Sequence, residues 1–121
     1  MPASPLTRLR KLCLAFPEAH EVEAWGAPTF RVRNKIFAMY AAPSESHRLE
    51  RPSVWIKATP QEQAIILAGD PDRFFSPPYV GKSGGIGIWL DQGRDWGVVK
   101  GFLGDAWRAT APKKLAKEHG G

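Results

Sequence analysis

Between Phe75 and Lys114 the chain reads FSPPYVGKSGGIGIWLDQGRDWGVVKGFLGDAWRATAPKK, in which a Pro/Gly loop, an alternating strand and an amphipathic helix follow one another without a spacer. Proline cannot donate to a ladder, so Pro77 and Pro78 restrict the Phe74 to Val80 run to an edge or irregular strand. Gly85 to Leu90 then alternates, with Ile86, Ile88 and Leu90 on one face and Gly87 and Trp89 on the other. Asp95 suits the N-cap of the last helix, where Trp96, Val99, Phe102, Leu103, Ala106, Trp107 and Thr110 share one arc; Gly97, Gly101 and Gly104 fall opposite and Pro112 ends it. An apolar strand face followed at once by an apolar helix stripe points to helices layered on a sheet.

The N-terminal half repeats the pattern. Ser4-Pro5 pairs an N-cap with proline at the first helical position, and Leu6, Leu9, Cys13 and Phe16 recur at helical spacing until Pro17. Two β-rich runs, Thr29 to Arg33 and Ile36 to Ala41, flank Asn34-Lys35, a plausible two-residue turn because Asn tolerates positive φ. That turn predicts Arg33 opposite Ile36, Val32 opposite Phe37, Arg31 opposite Ala38 and Phe30 opposite Met39. Phe30, Val32, Phe37 and Met39 then share one face, and Arg31, Arg33, Ile36, Ala38 and Tyr40 the other. The polar stretch Ala41 to Pro52 reads as a mobile loop, and Ser53 to Lys57 as a strand with Val54 and Ile56 opposite Trp55 and Lys57. Thr59-Pro60-Gln61-Glu62 is a capping box that opens a short helix ending near Gly69. The expected architecture is an α+β two-layer sandwich, an antiparallel five-stranded sheet with helices on one face.

Size and charge narrow the function. At 121 residues the chain fits one domain spanning 1–121, with the residues after about Lys113 read as a basic tail whose order the sequence leaves open. Of the formal +5, two charges belong to that end (Lys113, Lys114 and Lys117 against Glu118), leaving a bias on the body too mild for a dedicated polyanion binder. Cys13 is the only cysteine, which excludes an intrachain disulfide, a zinc ribbon and a Cys-X-X-Cys motif. Neither a signal peptide nor a run of the ~20 apolar residues of a membrane span is present, so a cytoplasmic protein without a membrane partner is expected.

Three segments, LCLAFPEAHEVEAWGAPTFRVRNKIFAMY from Leu12, PPYVGKSGGIGIWLD from Pro77 and DWGVVKGFLGDAWRATAPKKL from Asp95, together resemble the MmcQ/YjbR family over nearly the whole chain. The F-P-E after the first helix, the P-T-F-R-V-R-N-K-I-F hairpin, the P-P-Y-V-G turn and the final D-A-W-R carry the resemblance. It implies an α-β3-α-β2-α domain, and the family is commonly labelled DNA-binding. Another branch carries an H-M-N-K-like motif after the second helix, where this chain has Tyr79-Val80-Gly81-Lys82 and keeps only the lysine.

No catalytic constellation is found, and a non-enzymatic protein without cofactor or metal is expected. Gly81-Lys82-Ser83 lacks the first glycine of a P-loop and runs into a strand instead of a helix, although Lys82 with the Gly84 and Gly85 amides offers a looser anion site. His20, His47 and His119 lack zincin spacing, and Glu18, His20, Glu21 and Glu23 would alternate between faces without converging on a metal. The best candidate is the sheet face opposite the helices, with Arg31, Arg33, Lys35 and Lys82 for phosphates, Trp55 and Trp89 for stacking, and Lys57 beside them. DNA is the leading partner. A protein-interaction or homodimer surface on the same face is the alternative, since Trp and Arg are enriched there too, and packing of these rings within the monomer is a third reading. A small-molecule pocket beneath Tyr79 and Trp96 is neither supported nor excluded.

Overall fold

The computed structural model describes residues 4–44, 49–91 and 95–119; His47 lies outside them. Ser4 Oγ accepts the Thr7 N–H at 3.1 Å and Pro5 fills the first turn, which starts α1 (Pro5–Leu14) and buries Leu9 and Cys13. α2 (Pro60–Gly69) opens on the full capping box, Thr59 Oγ1 accepting from Glu62 N and Glu62 Oε1 from Thr59 N, each at 3.1 Å. Asp95 Oδ1 accepts the Gly97 N–H at 2.9 Å and begins α3 (Trp96–Thr110). The basic tail forms a further helix, α4 (Lys113–Glu118), which packs Leu115 and Ala116 on the core. His119 behind it turns its ring edge to Trp107, 5.1 Å between centroids.

Six strands, not five, make one antiparallel sheet in the order β1-β2-β3-β4-β6-β5: β1 (Ala19–Ala24), β2 (Ala27–Val32), β3 (Lys35–Ala41), β4 (Ser53–Ile56), β5 (Phe74–Phe75) and β6 (Ile86–Trp89). The additional strand is β1, whose Glu-rich sequence hides it. It is joined to β2 through Trp25-Gly26, both at positive φ (54° and 74°), the backbone that a tight two-residue hairpin requires. β5 is the short edge strand that its prolines allow.

The β2–β3 register departs from the expected one. Its turn is Arg33-Asn34, at φ 51° and 69°, so Val32 faces Lys35 and Arg31 faces Ile36. The register then shifts by one: Phe30 faces Ala38 and Thr29 faces Met39, leaving Phe37 as an extra residue on β3. The bulge puts Phe37 and Ala38 together on the helix side, both fully buried, with Tyr40 turned the same way and Met39 turned outward. Burial raises the Tyr40 phenol pKa, in keeping with that side. Expected faces are therefore exchanged for Ala38, Met39 and Tyr40. An unbulged hairpin would have left Tyr40 outside and the helices facing a thinner core.

α1 and α3 cover the Phe30, Val32, Phe37, Val54, Ile86 and Ile88 face. Trp107 is fully buried at its centre; its indole N–H donates to Pro17 O at 3.1 Å, and Phe16 stacks on it at 5.9 Å. α2 rests at the β5 margin, where Ile66 and Leu67 reach the core.

The bulge makes a direct prediction. Phe37→Ala should cost about 3–5 kcal/mol as a buried phenyl is deleted. Ala38→Asp should unfold the domain by burying a charge. In the unbulged register Ala38 faces solvent, and denaturant melts of an Ala38→Asp protein as stable as the parent would contradict the bulge.

Candidate functional site

The sheet face turned away from α1 and α3 is not a flat open plane. Trp55 lies at its centre, opposite Met39 on β3 and Gly87 on β6. Its indole N–H donates to Ser53 Oγ at 3.1 Å, and with Ala41 and Leu49 packed around it only 4% of the residue is exposed. Ser44 and Leu49 exchange two backbone hydrogen bonds, 2.7 and 2.8 Å, which brings Leu49 over this face. Trp89 is half-buried: Phe75 stacks on it at 4.0 Å between centroids, and the Arg51 guanidinium, bound to Asp91 at 2.8 Å, lies 4.5 Å from the ring centroid. The expectation that Trp55 and Trp89 stand open for stacking is thus corrected, because the chain's own side chains occupy both rings.

The cations separate into two groups. Arg31 stays on the outer face opposite Ile36, with its Nε donating to Thr29 Oγ1 at 3.1 Å. Lys57 is exposed beyond the end of β4 and borders a hollow that it shares with Ile36 and Ser83, and Lys82 is exposed next to Ser83 in a single 3₁₀ turn (Val80–Ser83). Arg33 leaves the face for the hairpin turn, where its guanidinium forks onto Glu18 at 2.5 and 2.9 Å. That pairing holds the Glu18 carboxyl below, and the Arg33 guanidinium above, its ordinary range. Lys35 lies opposite Val32, on the helix side of the hairpin tip. Lys57 therefore borders the outer face, Arg31 lies across the β2–β3 pair from Ile36 of the same hollow and Lys82 is next in sequence to its Ser83, whereas Arg33 and Lys35 lie at the hairpin tip.

The glycine loop provides no amide cradle. Gly84 N donates to Gly81 O at 3.1 Å and Gly85 N to Val80 O at 2.8 Å, so both amides are used inside the turn. Only Gly84 of these glycines takes a positive φ, 103°, and a Cβ there would run into the Thr59–Pro60 backbone at the start of α2.

Two aromatic residues outside the expected stacking pair define the site instead: Trp25, which sequence reasoning did not single out, and Tyr79, which it placed only over a small-molecule pocket with Trp96. Trp25 is 83% exposed and Tyr79 74%. Both line a cavity of about 610 Å³ whose inner wall is Met39, Ala41 and Trp55. A second hollow of about 340 Å³ shares Trp25, Met39, Trp55 and Val80 with it and extends to Lys57. The two form one groove. Both rim residues sit at positive φ, 54° and 64°, which is costly for bulky side chains. At Tyr79 the Val80 N–H donates back to Pro78 O at 2.7 Å, closing a γ-turn of the rare positive-φ kind (ψ −69°) that lifts the ring outward. Gln63 holds this segment to α2, its Nε2 donating to Gly81 O at 2.9 Å and Gly85 O at 2.8 Å. Trp96 has no part in the groove; it packs on the core side, under the Arg8 guanidinium at 4.8 Å.

Groups suited to covalent or metal chemistry are dispersed. Cys13 is fully buried, and burial first, then the charge of Glu21, pushes its thiol pKa up, away from thiolate reactivity. Glu21 is held by Arg10 at 2.6 Å and Glu18 by Arg33, so the acidic segment is distributed among ion pairs. Among the described residues no three His, Cys, Asp or Glu side chains come together as a metal site, and no helix is long and apolar enough to cross a membrane.

Comparison with known proteins bears on the fold. The YjbR family model matches residues 14–109. The crystal structure of Deinococcus radiodurans protein DR2400, with a DUF419 domain, is similar at a TM-score of 0.69 and 14% identity, covering 88% of this chain and 80% of that one. No curated protein matches the chain.

The Gln63 anchor can be tested directly. Gln63→Ala should cost about 1–2 kcal/mol, since two carbonyls lose their donor. It should appear first as faster amide exchange at Gly84 and Gly85 than in the sheet. Unchanged exchange there would mean that the turn holds itself.

Proposed function

This chain belongs to the YjbR family, and we propose that within that fold it acts by binding rather than by catalysis, taking unpaired DNA in the groove on the outer sheet face. The observation that carries this reading is the pair of exposed rings, Trp25 and Tyr79, at the rim of a groove that extends to Lys57. Bases stack on aromatic faces with little regard to sequence, at about 1–3 kcal/mol each, and Lys or Arg groups follow the phosphates. Arg31, Lys57 and Lys82 are the phosphate contacts in this account, and Trp25 and Tyr79 replace Trp55 and Trp89 as the stacking residues. A duplex, whose bases are already stacked on one another, has nothing to place in such a groove, so the unpaired strand is the favoured form.

A protein partner is the second reading, favoured by one feature: the inner wall of the groove is apolar and includes Met39, whose flexible thioether adapts to a partner's side chains. A second copy of the chain falls within this reading. The two readings differ in their response to salt.

Fluorescence anisotropy with labelled oligothymidine should show log Kd rising with log salt, at about 0.7 per phosphate neutralised on a single strand. Removing Lys57 and Lys82 together should lower that slope by about 1.4, with duplex of the same length bound more weakly throughout. An absence of binding to either form at low salt, with a dimer in sedimentation that Trp25→Ala dissolves, would replace this reading with the second.

A further inference from the structure

We infer that the larger cavity is a ring-binding pocket: it takes a single flat, uncharged heterocycle, edge-on between Trp25 and Tyr79 and down onto Met39, while the phosphate that follows it falls at the Lys57 end. This rests on the nucleic-acid reading for the source of the ring but not for its chemistry. Trp25 and Tyr79 supply aromatic faces, Met39 and Trp55 the inner wall, and none of the described lining residues of the larger cavity carries a charge. A charged group pressed against these side chains would lose water. A planar heterocycle loses little, and gains stacking and sulfur–aromatic contact. Among the described lining residues Lys57 alone is charged, and it lines the smaller hollow, so neutral and anionic parts of a ligand are sorted along one axis.

The backbone supports the same assignment. Among the described residues Trp25 and Tyr79 are two of five non-glycine residues at positive φ, and they are the two most exposed large aromatics on the rim. Glycine fits either conformation better than Trp or Tyr does. Rings kept there against local preference are left largely in solvent, and such strain is characteristic of ligand clamps.

The ring has two sources, a base of an unpaired strand or a free nucleoside, and one titration series separates them. Intrinsic Trp fluorescence is followed as oligothymidine, an abasic strand of equal length and free thymidine are added to the full chain and to its Trp25→Gly and Tyr79→Gly variants. The inference expects each variant to bind oligothymidine about tenfold more weakly, the loss of roughly one stacked base, and Trp25→Gly to melt no lower than the parent. The abasic strand should bind the parent about as weakly as oligothymidine binds the variants. If the abasic strand and both variants bind like the parent pair, charge alone drives association, which overturns the pocket and leaves the nucleic-acid reading standing. Saturable quenching by thymidine with no response to either strand keeps the pocket and overturns the nucleic-acid reading. No response to any of the three overturns both, and a lowered melting temperature in Trp25→Gly overturns the clamp, because that ring would then be structural.

Discussion

One extra residue in β3 decides which side chains each layer receives. With Phe37 bulged, Phe37 and Ala38 both turn toward α1 and α3, Tyr40 follows them, and Met39 and Ala41 turn outward. The helix layer takes Ala38 and Tyr40 in place of Met39 beside the buried Phe37, whose ring Phe16 meets edge-on at 6.1 Å. The outer face receives a thioether and a small methyl beside Trp55 where the regular register would have put a phenol. The groove exists because those two side chains leave room above the sheet. Its position follows from the bulge in the same way as the core does.

The walls of the groove are loops, and each is tied to the scaffold by a different device. Trp25 is placed by the tight β1–β2 turn and Tyr79 by a γ-turn next to a 3₁₀ segment that Gln63 fastens to α2. Leu49 comes over Trp55 through its backbone pairing with Ser44. A rigid sheet carrying recognition side chains on anchored loops limits the ordering entropy that binding must offset. The positive-φ rims cost stability, and the Phe16–Trp107–Phe37 cluster and three capped helices supply it elsewhere.

Much of the scaffold was legible in the residues themselves. Ser4-Pro5, the Thr59 capping box, Asp95 and the Ile86–Leu90 alternation all act within a few positions of sequence, and each forms as read. What escaped is non-local. Asn34 was the natural centre of a turn, but its partner is Arg33 and not Lys35, and the guanidinium of Arg33 meets Glu18, fifteen residues earlier. The bulge at Phe37 compensates for that choice and leaves no local mark. β1 was obscured by its glutamates; Glu21 is neutralised by Arg10 of α1, and Glu18 just before the strand by Arg33 of the β2–β3 turn. Alternation separated Trp55 and Trp89 from the aliphatic residues correctly, yet could not reveal that Leu49, Phe75 and Arg51 would cover them. The Trp25-Gly26 pair between two alternating runs was the available sign of an exposed ring at a hairpin tip.

The five tryptophans are distributed so that their indole N–H resonances report on the binding face. Trp25 is at the rim of the groove and Trp55 at its inner wall, while Trp96 and Trp107 belong to the helix side. In a two-dimensional ¹H–¹⁵N titration with oligothymidine, the account predicts that the Trp25 and Trp55 indole signals move together with the Met39 and Tyr79 amides, while Trp96 and Trp107 stay in place. Shifts confined to Trp96, Trp107 and the lysines of α4 would put binding on the opposite layer and contradict it.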